Sequence, residues 1–178
     1  MVATRDNLIF SLERWPEVGV KVEFALTPTT FSPYLEATLR LDGESLVEAT
    51  PQLASDFVGV LKLRLYGQRL KVHGQFAVMV EMACHRCLTV FPHKLSDHFE
   101  ESVDLRQGNE TIPNEDQELT INVVDNHFDL TPLLVERLWL AWPIKVLCQP
   151  DCLGLCLNCG ANLNEGLCAC GQSRAIRH

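Results

Sequence analysis

Apolar and polar residues alternate with period two along much of the chain, the pattern of strands with one buried and one wet side. Val18, Val20, Val22, Phe24 and Leu26 alternate with Gly19, Lys21, Glu23 and Ala25, which predicts a half-buried strand. Leu35, Ala37, Leu39 and Leu41 predict a second. The clearest element is "LKLRLYGQRLKVHGQFAVMVEM", where Leu61, Leu63 and Leu65 alternate before a turn and Leu70, Val72, Phe76, Val78, Val80 and Met82 after it. Gly67 followed by Gln68 suits a two-residue type II′ turn, with glycine supplying the positive φ. That turn sets the register: Leu65 faces Leu70, Leu63 faces Val72, Arg64 faces Lys71 and Lys62 faces His73.

Further strands are expected at "FEESVDL" and, beyond the acidic loop "RQGNETIPNEDQE", at "LTINVV". A single helix is predicted, over residues 131–142 in "TPLLVERLWLAWP". Thr131 is placed to cap it, Pro132 fits its first turn and Pro143 stops it. Glu136 and Arg137 are its only charged residues, so more than one side should be buried, with Trp139 and Trp142 filling core or interface. No internal repeat is evident. The pattern predicts an α+β fold, mainly antiparallel β and barrel- or sandwich-like, with one C-terminal helix. Composition changes abruptly at Cys148. Residues 1–147 are expected to form the β domain, and 148–178 a cysteine-rich tail too small to hold a core without a staple.

That tail contains six cysteines: Cys148, Cys152, Cys156, Cys159, Cys168 and Cys170. Nothing in "MVATRDNLIFSLERW" reads as a signal peptide, and no run approaches the ~20 apolar residues of a membrane helix. A cytoplasmic protein is therefore expected, and in a reducing compartment clustered thiols point to metal rather than disulfides. Tetrahedral zinc takes four thiolates, so six leave a remainder. The missing pair lies upstream in "CHRC", where Cys84 and Cys87 follow the long strand with knuckle spacing.

Eight cysteines divide into two zinc sites. Cys156 and Cys159, followed by Gly160, form a second knuckle that Cys168 and Cys170 can complete. By elimination Cys84, Cys87, Cys148 and Cys152 form the other, which would clamp the chain after the helix onto the β domain. Spacing leaves the partition open, since Cys148 and Cys152 can exchange roles with Cys168 and Cys170. An iron–sulfur cluster is an alternative with the same ligands. With all eight thiolates used, neither zinc keeps a position for water, so both would be structural. A metal-dependent enzyme or a thiol redox protein is the rival class. The redox reading needs a helix N-terminus beside the thiol, whereas "CHRC" follows a strand. His85 and Arg86, inside the knuckle, are expected to point outward.

The net charge of -8 argues against a chain that coats nucleic acid indiscriminately. The charge is nevertheless segregated. From Phe57 to Leu95 there are six basic residues against Glu81 alone, whereas Glu100 to Glu118 holds seven carboxylates against Arg106. Lys62, Arg64, Arg69, Lys71 and His73 fall on the hairpin's polar face, continued by Arg86. Like charges directly across strands destabilise a sheet, which points to phosphate binding. The competing readings are a solvated face, or lysines that blunt an edge strand. The acidic run reads as a solvated loop or as a contact for a basic ribosomal protein.

A strand ending in "CHRCLTVF", an acidic stretch, "FDLTPLLVERLWLAWPIKVLC" and "DCLGLCLNCGANLNEGLCAC" together resemble the YceD family, the large ribosomal RNA subunit accumulation proteins. The resemblance covers roughly the second half of the chain; the first half agrees only in its alternating strands. It implies a role in accumulation of 23S ribosomal RNA and no enzymatic activity. Ribosomal RNA or a pre-50S particle is then the expected partner, with no membrane and no small-molecule substrate. Family members that have the "CxRC" knuckle and the helix without the full "GLCxxCG" tail fit two separable sites.

Overall fold

The computed structural model describes residues 4–38, 40–41, 44–45, 51–107, 119–166, 168 and 170. Strands β1 (Thr4–Arg5), β2 (Ile9–Ser11) and β3 (Val20–Leu26) lead into helix α1 (Pro28–Thr38). Three two-residue strands follow: β4 (Arg40–Leu41), β5 (Glu44–Ser45) and β6 (Gln52–Leu53). The long strands β7 (Phe57–Tyr66), β8 (Arg69–Ala83) and β9 (Val90–Gln107) form the centre. β10 (Thr120–Val123), β11 (His127–Asp129) and helix α2 (Thr131–Leu140) complete the order.

One sheet runs β1-β3-β7-β8-β9-β10, with β6 taking over from β7 beside the far half of β8. Its central pairs are antiparallel, but β1 lies parallel to β3 and β10 parallel to β9, so the sheet is mixed. Among the described residues its path is open at both ends and does not close into a barrel. β2–β11 and β4–β5 form separate two-stranded ribbons.

The hairpin register holds: Leu65 pairs with Leu70, Arg64 with Lys71, Leu63 with Val72 and Lys62 with His73. Gly67 turns at φ 62° while Gln68 is not among the residues at positive φ, as a II′ turn requires. The expected strands near 99 and 119 belong to β9 and β10. Most of the acidic loop lies outside the described residues.

The stretch expected as one strand from Leu35 to Leu41 is helical as far as Thr38, the end of α1; Arg40–Leu41 form β4, and Leu39 lies outside the described residues. Thr27 Oγ1 accepts from the Thr30 amide at 3.3 Å, Pro28 occupies the first turn, and Phe31 and Leu35 one turn apart are both fully buried. The period-two spacing of Leu35, Ala37 and Leu39 masks this i, i+4 pair and its cap. β3 also starts later than expected. Val18 is 85% exposed, and Gly19 at φ 81° turns the chain into the strand at Val20.

Helix α2 stands as predicted but is capped differently. Its N-cap is Leu130, and Asp129 Oδ1 accepts from the amide and the hydroxyl of Thr131 at 2.8 and 2.6 Å. Asp129 Oδ2 also accepts from Tyr34 at 3.0 Å, tying α1 to the start of α2. The helix ends at Leu140, with Ala141 as C-cap, because Pro143 leaves the last turn no continuation.

Both helices contribute to the core on one side of the sheet. Phe57 stacks between Phe31 at 4.5 Å and Phe76 at 4.8 Å, and Phe10 stacks on Phe128 at 5.6 Å. Gly74 faces Phe99 across β8–β9, and any Cβ there would meet the ring at 2.2 Å. Asp97 and Glu101 point to the same inner side and receive Arg137 of α2, with Nη2 2.6 Å from Asp97 and Nη1 3.0 Å from Glu101. The opposite side of β3, β7, β8 and β9 is the wet one.

Candidate functional site

The hairpin of β8 and β9 ends in "CHRCLT", so the first cysteine pair is the tip of the longest structure in the protein. The Cys84 amide donates to Thr89 O and the Leu88 amide to Cys84 O, both at 2.9 Å. In the tail the Cys156 amide donates to Ala161 O and the Gly160 amide to Cys156 O, both at 2.8 Å. The two turns are built alike. Each needs a left-handed residue right after its second cysteine: Gly160 at φ 71° in one, Leu88 at φ 60° in the other. The glycine marked the second turn in the sequence, and the leucine concealed the first.

The chain leaving α2 returns to this tip. The His85 amide donates to Val146 O at 2.9 Å, and the Val146 amide lies 3.4 Å from His85 Nδ1. Cys148 and Cys152 then reach the knuckle, with Sγ–Sγ distances of 3.6 Å from Cys87 to Cys148 and 3.7 Å from Cys84 to Cys152. Cys156, Cys159, Cys168 and Cys170 gather separately, at 3.4 Å for Cys156–Cys168 and Cys156–Cys170, 3.0 Å for Cys168–Cys170 and 3.7 Å for Cys159–Cys170. Within each set all four sulfurs lie within 4.8 Å of one another.

All eight cysteines are free thiols. A tetrahedron with metal–sulfur bonds of ~2.3 Å has edges of about 3.8 Å, so the Cys84 set already stands at the spacing an ion held by four thiolates needs and the outer set slightly inside it. Each set could hold one metal ion. The grouping matches the partition obtained by elimination.

The electrostatics of each set also suit a cation. Burial pushes the Cys84 thiol up, but the backbone amides of Cys148, Cys87 and Arg86 outweigh it and hold the group at about 6. Cys87 is lowered chiefly by Thr89, whose hydroxyl lies 3.3 Å away. Cys148 goes the other way, to about 12, through burial and the crowding of Cys87, Cys152 and Cys84. Cys156 is held at about 6 by the amides of Asn158 and Cys159. The thiolate is therefore favoured at Cys84 and Cys87 in one set and at Cys156 in the other, and disfavoured at Cys148, where added positive charge would reverse the balance.

Several supporting side chains were not legible in the sequence. Asn164 Oδ1 accepts from the Leu153 amide at 2.8 Å, and its Nδ2 lies 3.3 Å from Cys152 Sγ and 2.8 Å from Asn162 Oδ1. Two asparagines inside "GANLNEGL" thus brace the inner set from the tail. Arg86 does not point outward: its Nη1 donates to Cys152 O at 2.9 Å, across the junction. His85 is exposed although its ring nitrogen is engaged.

On the wet face Lys62, Arg64, Arg69, Lys71 and His73 are all exposed. Arg69 Nε pairs with Asp104 at 3.0 Å, and His73 Nδ1 lies 3.6 Å from Glu100. Lys62, Arg64 and Lys71 have no carboxylate partner among the described residues. Lys21 of β3 lies directly opposite Lys62 and pairs with Glu23 at 3.3 Å. Arg86, engaged at the knuckle, is not part of this cluster's geometry.

A mixed open sheet carrying two four-cysteine sets, one bridging hairpin and tail, defines a β-rich protein with two candidate structural metal centres. Residues 72–176 match the family model described as large ribosomal RNA subunit accumulation protein YceD, more than half of the chain, and the protein belongs to the YceD family. The chain is 27% identical over 158 residues to "Large ribosomal RNA subunit accumulation protein YCED homolog 1, chloroplastic" of Zea mays, covering 73% of this chain and 52% of the relative. It thus spans about half the length of that curated relative. No solved structure matches it. No described helix is long and apolar enough to cross a membrane.

Proposed function

We propose that this protein is a non-enzymatic factor in biogenesis of the large ribosomal subunit, held together by two structural zinc ions and acting in the cytoplasm by contact with ribosomal RNA, a pre-50S particle or a basic ribosomal protein. Membership of the YceD family carries the reading, together with a maize relative whose name concerns ribosomal RNA accumulation.

Cys84, Cys87, Cys148 and Cys152 would hold one zinc, and Cys156, Cys159, Cys168 and Cys170 the other. Four thiolates around each ion leave no position for a reacting water, which supports a structural rather than catalytic role. On this reading 1–147 is the β domain and 148–178 the zinc-binding tail fixed to its hairpin tip. Lys62, Arg64, Arg69, Lys71 and His73 supply the RNA-facing charge. Arg86, expected on that face from the sequence, donates instead to Cys152 O, which favours a bracing role.

Metal analysis of the purified protein should return two zinc per chain and no reactive thiol, and iron in place of zinc would change the metal. Depletion of the protein in growing cells should lower 23S RNA relative to 16S. An unchanged ratio, with free 50S subunits undiminished, would overturn the biogenesis role.

A further inference from the structure

Two shallow depressions lie side by side on the wet face of the sheet. One, of about 290 Å³, is lined by Lys21, Val60, Lys62, His73, Gly74 and Gln75. The other, of about 350 Å³, continues past the shared Gln75 to Lys94, Ser96 and His98 over a floor of Val58, Gly59 and Ala77. The floor is low because its outward side chains, Val58, Ala77 and Ser96, are small; Gly59 and Gly74 face inward, where a Cβ would run into the rings of Phe24 and Phe99. Core aromatics thus pack against bare backbone on the inner side, while the depth of the outer side is set by the alternate positions Val58, Ala77 and Ser96.

The cations follow the same line. From the Tyr66 row at the hairpin turn, successive wet rows of the central strands carry Arg64 with Lys71, then Lys62 with His73, then Gln75 with His98, and further on Lys94. At ~3.4 Å per residue these rows span a few tens of ångströms. Lys21 stands directly across from Lys62, and Arg64 across from Lys71. Such opposed like charges work against the sheet, and an anionic ligand would relieve both pairs at once. Carboxylates lie toward the edges: Glu23 with Lys21 at 3.3 Å, Glu100 beside His73, and Asp104 with Arg69.

We propose that this trough binds single-stranded RNA, with Lys21, Lys62, Arg64 and Lys71 holding phosphates and the exposed rings of Tyr66, His73 and His98 meeting unpaired bases. The proposal rests on the ribosomal RNA reading above and specifies the form of RNA recognised. Exposed rings along a shallow trough offer unpaired bases a surface to stack on, whereas the bases of a paired helix are already stacked on one another.

The test uses the full metal-loaded chain and fluorescence anisotropy with a labelled RNA strand of about eight nucleotides, free or annealed to its complement. The single strand should bind at least about tenfold more tightly than the duplex. Lys62→Ser with Lys71→Ser should weaken binding and flatten the log–log salt slope by about 1.4, or ~0.7 for each phosphate no longer neutralised. Tyr66→Ala should weaken binding about five- to hundredfold with the slope unchanged. All three positions are exposed, and unaltered melting of each variant checks that the fold is kept. Equal affinity for duplex, displacement by polyglutamate of matched charge, or indifference to these substitutions while wild type still binds ribosomal RNA would overturn the trough and leave the biogenesis reading standing. Failure of wild type to bind either RNA overturns the trough together with direct RNA contact.

Discussion

Replacing Cys148 and Cys152 with serine should destabilise the whole protein, whereas replacing Cys156 and Cys159 should disturb only the tail. A metal at the inner set would cross-link positions as close to each other in space as Cys87 and Cys148 but 61 residues apart in sequence. Treated as a chain-entropy constraint on the unfolded state, closing such a loop stabilises the fold by about 4 kcal/mol. The outer set spans 14 residues from Cys156 to Cys170, which gives about 3 kcal/mol by the same relation. That smaller stabilisation belongs to the tail alone, because all four cysteines of the outer set lie in the tail, whereas Cys84 and Cys87 of the inner set sit at the tip of the β8–β9 hairpin. Against a total stability on the order of 10 kcal/mol, the inner loss is large. At ~2–4 °C per kcal/mol for a chain of this size, the inner variant should melt roughly 8–16 °C lower. Circular dichroism of the zinc-loaded proteins, followed in the sheet signal, makes the measurement. The outer variant should shift that transition by no more than ~2 °C. Truncation just before Cys148 should reproduce the inner variant. Equal shifts for the two variants, or an unchanged midpoint for the truncation, would refute the cross-link.

Under a chelator the two metals should leave in sequence, the outer first, because Cys159 and Cys170 are exposed while Cys84, Cys87 and Cys152 are buried; a colorimetric zinc indicator should then record two phases of equal amplitude. Leu88→Gly should raise the melting temperature by about 1–3 °C, since leucine at positive φ costs ~1–2 kcal/mol, partly offset by glycine's freedom in the unfolded chain. A fall would mean that the 64%-exposed leucine makes contacts that matter. Arg137→Ala should lower stability by about 3 kcal/mol in urea denaturation, because Asp97 and Glu101 face the core side of β9 and pair with no other cation among the described residues. A loss below ~1 kcal/mol would show that both carboxylates reach water in the native state.

The β7–β8 hairpin was readable to the residue because its turn chemistry and its alternation fix one register between neighbours in sequence. Helix α1 was not, since Leu35, Ala37, Leu39 and Leu41 imitate a strand and the decisive Phe31–Leu35 spacing is short and interrupted by Pro33. The parallel pairing of β1 and β10 leaves no mark in local periodicity. The two four-cysteine sets were legible because a tetrahedral thiolate site takes four ligands, and elimination could then join residues 61 to 68 positions apart. The braces were not. Asn164 and Arg86 acquire their roles only when the tail is laid on the hairpin tip, and Arg137 finds Asp97 and Glu101 from 36 to 40 residues away. The basic face was legible as charge, but its depression forms only when the small outward residues Val58, Ala77 and Ser96 are set side by side by the pairing of β7, β8 and β9.

Ultraviolet cross-linking of the full chain in growing cells, followed by sequencing of the attached RNA, bears most directly on the proposed role in large-subunit assembly. The account predicts enrichment of 23S sequence over 16S, concentrated in segments unpaired in the precursor and lost in the Lys62→Ser, Lys71→Ser variant. Cross-links spread over both ribosomal RNAs in proportion to their abundance, and unchanged in that variant, would contradict it.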